Sequence, residues 1–143
     1  MKLVVDSSVA IKWFVCEPDS EEADRLRRGF ELVAPDLLVS ECVNAFWKKS
    51  RQGEMTTGDV LASARGLGQA SVAYRGSADL ALSAAAMAMS FGHPAYDCFY
   101  LALAIEEQAS FVTADASLVR KLRAAGFGEA EVLSLAEAAA LAA

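Results

Sequence analysis

Five short apolar segments, separated by longer segments of helical character, set the strongest limit on how this chain folds. The predicted strands span residues 3–5, 32–35, 71–74, 110–113 and 131–133. Strands that alternate with helices run parallel in one sheet, and the connecting helices cover its faces. The sequence therefore predicts an α/β fold, a three-layer α/β/α sandwich with a mainly parallel sheet of roughly five strands.

The segments between the strands carry recognisable helix ends. Asp19 and Glu22 have capping-box spacing, and Thr56 or Thr57 precedes another helix. Gly92 closes a helix over 78–91, with Pro94 just beyond it as a stop signal. Further helices are predicted over 9–14, 19–28, 36–51, 57–69, 95–108, 115–125 and from residue 134. No linker or repeat interrupts this pattern, so a single domain over residues 1–143 is expected.

The composition excludes several classes of protein. No apolar run reaches the roughly 20 residues of a membrane span, and the N-terminus lacks the apolar stretch of a signal peptide. The three cysteines form no C-x-x-C pair, which favours reduced core thiols and a cytoplasmic location. The chain has one histidine, His93, which excludes paired-histidine ribonuclease catalysis and zinc sites built on several histidines.

Four acidic residues occupy positions where they could bind a ligand or take part in catalysis. Asp6 and Asp115 follow predicted strands, where open α/β sheets bind ligands, although each would also serve as a helix N-cap. Asp97 lies in the first turn of the very apolar helix 95–108, so its charge needs a partner. Glu41 lies inside a helix between apolar neighbours and, taken alone, would be an ordinary solvated glutamate.

Together these acids predict a metal site. Carboxylates that share a site repel one another and do not all stay ionised without a cation. Oxygen ligands without histidine or thiolate suit Mg²⁺ or Mn²⁺, and such ions usually serve phosphate chemistry. The net charge of −6 argues against a broad basic surface that binds phosphate backbones. Any phosphate chemistry would therefore depend on acids that converge on one site.

Four motifs resemble those of the PIN domain, and more narrowly of the VapC-type toxin ribonucleases of bacterial toxin–antitoxin pairs. They span residues 4–118 in family order and are Val4-Val5-Asp6-Ser7-Ser8, Ser40-Glu41-x-x-Asn44, Tyr96-Asp97-x-x-Tyr100-Leu101-Ala102-Leu103-Ala104, and Thr113-Ala114-Asp115-x-x-Leu118.

The resemblance implies a metal-dependent endoribonuclease with strand one beside strand four. Asp6, Glu41, Asp97 and Asp115 would hold one or two Mg²⁺ or Mn²⁺ ions, and metal-activated water would hydrolyse an RNA phosphodiester. Polar groups around these acids would be Ser7, Ser8, Asn44 and Thr113. The partners implied are RNA, a cognate antitoxin that lies in an apolar groove, and a second copy of the chain in a homodimer.

One departure from the family pattern concerns the second metal position. Some members carry another acid shortly after the last aspartate, but Ser117 and Val119 stand there in this chain. Basic residues at 25–28, 48–51 and 120–123 either form solvated helix faces or hold RNA. Lys12 lies close enough to Ser7 in sequence to overhang the site.

Other functions compete with this hypothesis. A PIN-type nuclease that acts on DNA or structured RNA outside a toxin–antitoxin role would share every catalytic residue. A receiver-like signalling domain that binds Mg²⁺ would need an acid pair after strand one, where Asp6-Ser7 stands, and a lysine after a late strand. A binding module without activity is disfavoured because all four acids are present.

Overall fold

Five parallel strands form one sheet, in the order β3-β2-β1-β4-β5. The computed structural model describes residues 1–142, and Ala143 lies outside the described residues. The predicted α/β fold with a five-stranded sheet is confirmed, and the sheet is parallel throughout. The strands are β1 (Lys2–Val5), β2 (Glu31–Pro35), β3 (Val72–Arg75), β4 (Ser110–Thr113) and β5 (Val132–Ser134).

The helices follow the predicted segments closely. Within residues 1–142 they are α1 (Ser7–Ala10), α2 (Ser20–Gly29), α3 (Leu37–Arg51), α4 (Thr57–Gln69), α5 (Ser77–Phe91), α6 (Ala95–Glu107), α7 (Ala116–Ala124) and α8 (Leu135–Leu141). The helix predicted over 9–14 instead ends at Ala10 and continues as a short 3₁₀ turn over Ile11–Trp13. Capping boxes start α4 and α8, where Thr56 pairs with Asp59 and Ser134 pairs with Glu137.

The chain crosses between strands on both faces of the sheet. Right-handed crossovers put the connections from β1 through β2 to β3 on one face, and those from β3 through β4 to β5 on the other. Helix α6 packs across β1, β2 and β4, and α5 packs on α6. This central position explains why α6 buries six of its thirteen residues, among them Tyr100 and Leu101.

The capping box predicted from Asp19 and Glu22 is wrong. The Asp19 side chain makes no capping bond to α2 and instead pairs with Lys12, 2.8 Å away. Lys12 also pairs with Glu17 at 2.6 Å, and only 11% of its side chain is exposed. The prediction that Lys12 overhangs the acids is therefore unsupported, because its ammonium group is already neutralised by two other carboxylates.

Two further expectations concern the cysteines and the membrane. Cys42 and Cys98 are buried free thiols, as predicted, but Cys16 is exposed and is not part of the core. Over residues 1–142, none of the helices has the length and apolar character needed to cross a membrane.

Candidate active site

Asp6 lies at the carboxyl end of β1, level with the end of β4. Val5 pairs with Val112 in the sheet, and the Asp6 amide donates to the Val112 carbonyl at 3.3 Å. The register therefore brings Asp6 beside Thr113. Asp6 is only 6% exposed, and this burial raises its pKa to about 6. Such a carboxyl group is costly to keep ionised unless positive charge or donors surround it.

Hydroxyl groups near the ends of β1 and β4 form hydrogen bonds with the Asp6 carboxyl group. Ser8 donates to the Asp6 Oδ1 atom, and the Val9 amide donates to the same oxygen at 3.4 Å. The Ser8 hydroxyl also lies 3.2 Å from that of Thr113 and accepts from the Ala114 amide at 2.9 Å. Hydrogen bonds from Ser8 and Thr113 oppose the effect of burial by lowering the pKa of Asp6. Ser8 thus ties the turn after β1 to the turn after β4.

Asp97 projects from the first turn of α6, as predicted. Its Oδ2 atom lies 2.6 Å from the Nε2 atom of His93, which precedes the helix N-cap Pro94. The His93 side chain is 11% exposed and its Nδ1 atom is buried without a hydrogen-bond partner among the described residues. The single histidine of the chain is therefore part of the acidic site.

Glu41 reaches the same region from α3. It is partly buried, and its Oε1 atom accepts a hydrogen bond from the hydroxyl of Tyr100 on α6. Burial raises the pKa of Glu41, and the negative charge of Asp97 raises it further. Glu41 is thus not the solvated glutamate that its position alone would suggest.

Asp6, Glu41 and Asp97 form one electrostatic group, which we call the acid cluster. After burial, Asp97 adds to the rise in the pKa of Asp6 and, separately, of Glu41. Three elements bring these acids together, namely the end of β1, α3 and α6. Within residues 1–142, no three acidic, histidine or cysteine side chains are drawn together tightly enough to form a ready-made metal site.

Asp115 lies at the same edge of the sheet but outside the acid cluster. It is exposed and caps α7, accepting from the Leu118 amide at 3.1 Å. Its own amide donates to the Thr113 hydroxyl at 3.1 Å, which links it to the ring of donors around Asp6. The structure therefore gives Asp115 the capping role that its sequence position allows, next to the acids rather than among them.

The predicted polar neighbours divide into two pairs. Ser8 and Thr113 contact Asp6, whereas Ser7 and Asn44 make no side-chain hydrogen bond to an acid within residues 1–142, and Asn44 is exposed. His93 and Tyr100 were not among the predicted site residues. The available signals were their spacings from Asp97, since His93 lies four residues before it and Tyr100 lies three residues after it, both near the start of α6.

Cys42 lies beside Glu41 on α3 but is not a nucleophile. Burial raises the pKa of its thiol to about 12, and the charges of Glu41 and Asp6 add to the rise. Only a thiolate attacks or binds metal readily, so Cys42 remains a protonated core residue. The chemistry of the site therefore rests on oxygen atoms and one imidazole.

Comparison with known proteins assigns the family. The model of the PIN domain matches residues 3–123, which include all three residues of the acid cluster and Asp115. The chain belongs to the PIN-domain family. This PIN domain is also 32% identical over 127 residues to Ribonuclease VapC3 of Pyrobaculum aerophilum, an alignment that covers 87% of this chain and 97% of that protein. The family resemblance predicted from the sequence is confirmed.

Two solved structures share the fold of this PIN domain. The crystal structure of PAE2754 from Pyrobaculum aerophilum has a TM-score of 0.70 at 17% identity, with 99% of this chain and 89% of that chain covered. VapBC2 from Rickettsia felis, solved bound to a DNA fragment from its promoter, has a TM-score of 0.64 at 12% identity, with 94% and 98% covered. At these identities the likeness concerns the fold alone.

The donor set of the acid cluster fits a hard divalent cation. It offers carboxylate oxygens, which Mg²⁺ and Mn²⁺ prefer, and burial raises the pKa of both thiols beside it, Cys42 and Cys98. Burial raises the pKa of both Asp6 and Glu41, the negative charge of Asp97 adds to each rise, and a bound cation would offset both effects by stabilising the ionised carboxylates. Asp6, Glu41 and Asp97 thus have the donor chemistry for such an ion without forming a ready-made site within residues 1–142, and Asp115 lies at the margin.

Proposed function

We propose that this PIN domain is a metal-dependent endoribonuclease and the toxin of a toxin–antitoxin pair. A single observation carries the proposal: Asp6, Glu41 and Asp97 share one electrostatic environment at this edge of the sheet, and no lysine or arginine within residues 1–142 forms an ion pair with any of them. A structural acid is normally paired, because burial of an unpaired charge is costly. Similarity to a VapC ribonuclease supports the choice of RNA as substrate, and with it a cytoplasmic location.

The proposed metal ligands are Asp6, Glu41, Asp97 and Asp115, with Mg²⁺ or Mn²⁺ as the cation. When bound, such an ion activates water and balances the charge that develops on a phosphodiester during in-line displacement. Ser8 and Thr113 hold Asp6 in place through hydrogen bonds, and His93 holds one oxygen of Asp97. Burial of Asp6 limits the access of bulk water to this edge, which strengthens the electrostatic interactions there.

RNA would approach along the edge that carries Asp115 and α7. Arg120 and Lys121 on α7 are exposed, and neither forms an ion pair with a residue in 1–142. Their positive charge would offset the repulsion between the phosphate backbone and an acidic protein. We therefore include these two residues in the proposed RNA-binding surface.

The first experiment is cleavage of host total RNA by protein purified free of antitoxin. Reactions contain Mg²⁺ or Mn²⁺, or EDTA, and a parallel set uses Asp97→Asn, which keeps the side-chain shape and loses the charge. Discrete products that require both metal and Asp97 are expected. If folded protein cleaves nothing with either metal, or if Asp97→Asn is fully active, the proposal fails. Cleavage of DNA but not RNA would identify a nuclease with another task.

The antitoxin is proposed to bind between α3 and α4. Trp47 and Leu61 are 51% and 61% exposed, and they line an apolar groove together with Val60. Large exposed apolar side chains that lie side by side favour a protein partner. Co-expression with the protein encoded next to this gene tests the site: Leu61→Asp should abolish co-purification, whereas Asp97→Asn should not.

A homodimer is proposed through α5. This helix carries one charged residue, Asp79, and its Leu82 and Met89 side chains are each 85% exposed. An apolar helix face of this kind is normally covered by protein. Light scattering should give the mass of a dimer for the wild type and of a monomer for Leu82→Glu. A monomeric wild type would refute this part of the proposal.

A further inference from the structure

Tyr100 joins the two helices that supply acids to the cluster. Its ring is 1% exposed and packs against Phe111, with the ring centroids 6.3 Å apart. Its hydroxyl group emerges from this core to donate to Glu41, which lies 59 residues earlier on α3. Because Tyr100 is one helical turn after Asp97, the bond fixes Glu41 relative to the helix that carries Asp97.

The hydrogen bond engages only one of the two Glu41 oxygens. Within residues 1–142, Oε2 accepts no side-chain hydrogen bond, so it remains available for another ligand. The Tyr100 hydroxyl is the donor of this bond, because an ionised carboxylate oxygen only accepts. A protonated phenol supplies a hydrogen bond without adding a charge that would compete with a cation for the carboxylate.

We propose that Tyr100 is a positioning residue that holds Glu41 with one oxygen free for a divalent cation shared with Asp6 and Asp97. This inference rests on the proposed metal-dependent function and adds a residue that neither the motifs nor the fold assigned a role. The rigid core around the Tyr100 ring makes the position of the hydroxyl well defined, which a flexible surface donor would not achieve. Groups that orient metal ligands in this way usually change metal affinity about 10- to 100-fold when removed.

The chain provides a matched control for the test. Tyr74 also donates a partly buried hydroxyl hydrogen bond, to the Leu67 carbonyl at 3.0 Å, but makes no hydrogen bond to an acid. Tyr100→Phe and Tyr74→Phe therefore each remove one oxygen atom and one internal hydrogen bond. A purely structural role for Tyr100 predicts similar behaviour of the two variants.

The measurement is Mn²⁺ binding to metal-free protein by calorimetry. We expect Tyr100→Phe to weaken Mn²⁺ affinity about 10-fold and Tyr74→Phe to leave it unchanged, while both lower the melting temperature by similar amounts. Since His93 is the single histidine of the chain, paramagnetic broadening of its imidazole NMR signal reports Mn²⁺ at the acid cluster independently of activity. In cleavage assays, Tyr100→Phe should raise the Mn²⁺ concentration that gives the half-maximal rate. The rate of this variant at saturating Mn²⁺ should fall by a smaller factor.

A double-mutant cycle separates action through Glu41 from a general effect. In a Glu41→Ala background, Tyr100→Phe should have no further effect on Mn²⁺ affinity. The inference about Tyr100 would be overturned if wild type and Tyr100→Phe bound Mn²⁺ equally well, or if Tyr74→Phe lost as much Mn²⁺ affinity as Tyr100→Phe. It would also be overturned if Tyr100→Phe kept its full effect on Mn²⁺ affinity in the Glu41→Ala background. If the wild type neither binds Mn²⁺ nor shows broadening of the His93 signal, the metal site of the proposed function fails first.

Discussion

Asp6 and Asp36 occupy the same kind of position in sequence and have opposite environments in the structure. Each follows an apolar strand, and β1 and β2 are parallel neighbours, so both lie at one edge of the sheet. Asp6 is buried in the acid cluster, and burial raises its pKa to about 6. Asp36 is exposed, and hydrogen bonds from the Ser77 hydroxyl and amide lower its pKa.

The difference shows what distinguishes a candidate metal ligand at a strand end from an acid that is satisfied within the fold. Asp36 binds the start of α5 and is stabilised as an anion by donors that the fold supplies. Asp6 has donors too, but their effect is smaller than the cost of its burial. An acid whose ionised form remains unfavourable in the folded chain is one that a cation can stabilise.

The largest expected effect is a difference in cleavage rate between substitutions of Asp6 and of Asp36. Asp6→Asn should reduce metal-dependent cleavage about 10³-fold, because an amide does not balance the charge of the metal. Asp36→Asn should retain the wild-type rate per folded molecule. Initial rates on one RNA substrate at saturating Mn²⁺ provide the comparison. A similar loss in both variants would mean that this edge of the sheet acts through its overall charge.

The next effect concerns stability as a function of pH. The folded pKa of Asp6, about 6, lies above its ordinary value of 3.8, so its contribution to stability is present below pH ~4 and is lost as the pH rises through 6. Between pH 4 and 7 the metal-free wild type should lose about 2 kcal/mol relative to Asp6→Asn. Urea unfolding at both pH values measures this difference. A pH-independent difference would contradict the buried, perturbed state of Asp6.

Asp115 extends the comparison to a third strand end. Asp115→Asn should keep the free energy of unfolding within about 0.5 kcal/mol of wild type, since asparagine caps helices as well as aspartate does. Cleavage should nevertheless fall about 10- to 100-fold if the carboxylate contributes to metal binding. Chemical denaturation and initial rates give the two quantities. A wild-type rate would leave Asp115 with the capping role alone.

The smallest effect tests the structural aspartate. Asp36→Asn should destabilise the protein by about 1 kcal/mol at pH 7, because the hydrogen bonds from Ser77 lose a charged acceptor. Since the folded pKa of Asp36 is lowered, this contribution should disappear as the pH falls through that folded pKa. Ser77→Ala serves as the matched variant and should show a loss of similar size. No loss in either variant would mean that the contact adds nothing to stability.

Much of the fold was predictable because its signals are local. The segment 110–113 matches β4 residue for residue, and Gly92 ends α5 in a left-handed conformation, as the glycine and the following proline indicated. The failed capping box at Asp19 shows the limit of such signals. Its spacing was correct, but the nearby Lys12 offered the carboxylate a stronger partner.

The candidate site was predictable only in part. The motifs identified Asp6, Glu41, Asp97 and Asp115, and the resemblance supplied the prediction that β1 lies beside β4, which the sheet confirms. Neither source indicated that His93 contacts Asp97 or that Tyr100 contacts Glu41. Strand-end position alone would also have selected Asp36, which the structure assigns to Ser77.

The sequence alone determined the alternation of strands and helices, most of the helix ends and the presence of acids after strands, because these depend on neighbours within about four residues. Only the tertiary structure decided which acids share an environment. The contacts that define them join residues 41, 59 and 105 positions apart, as in Asp36 with Ser77, Glu41 with Tyr100, and Ser8 with Thr113. Such contacts depend on the order of strands in the sheet and on the packing of α6 across it, which no local pattern encodes.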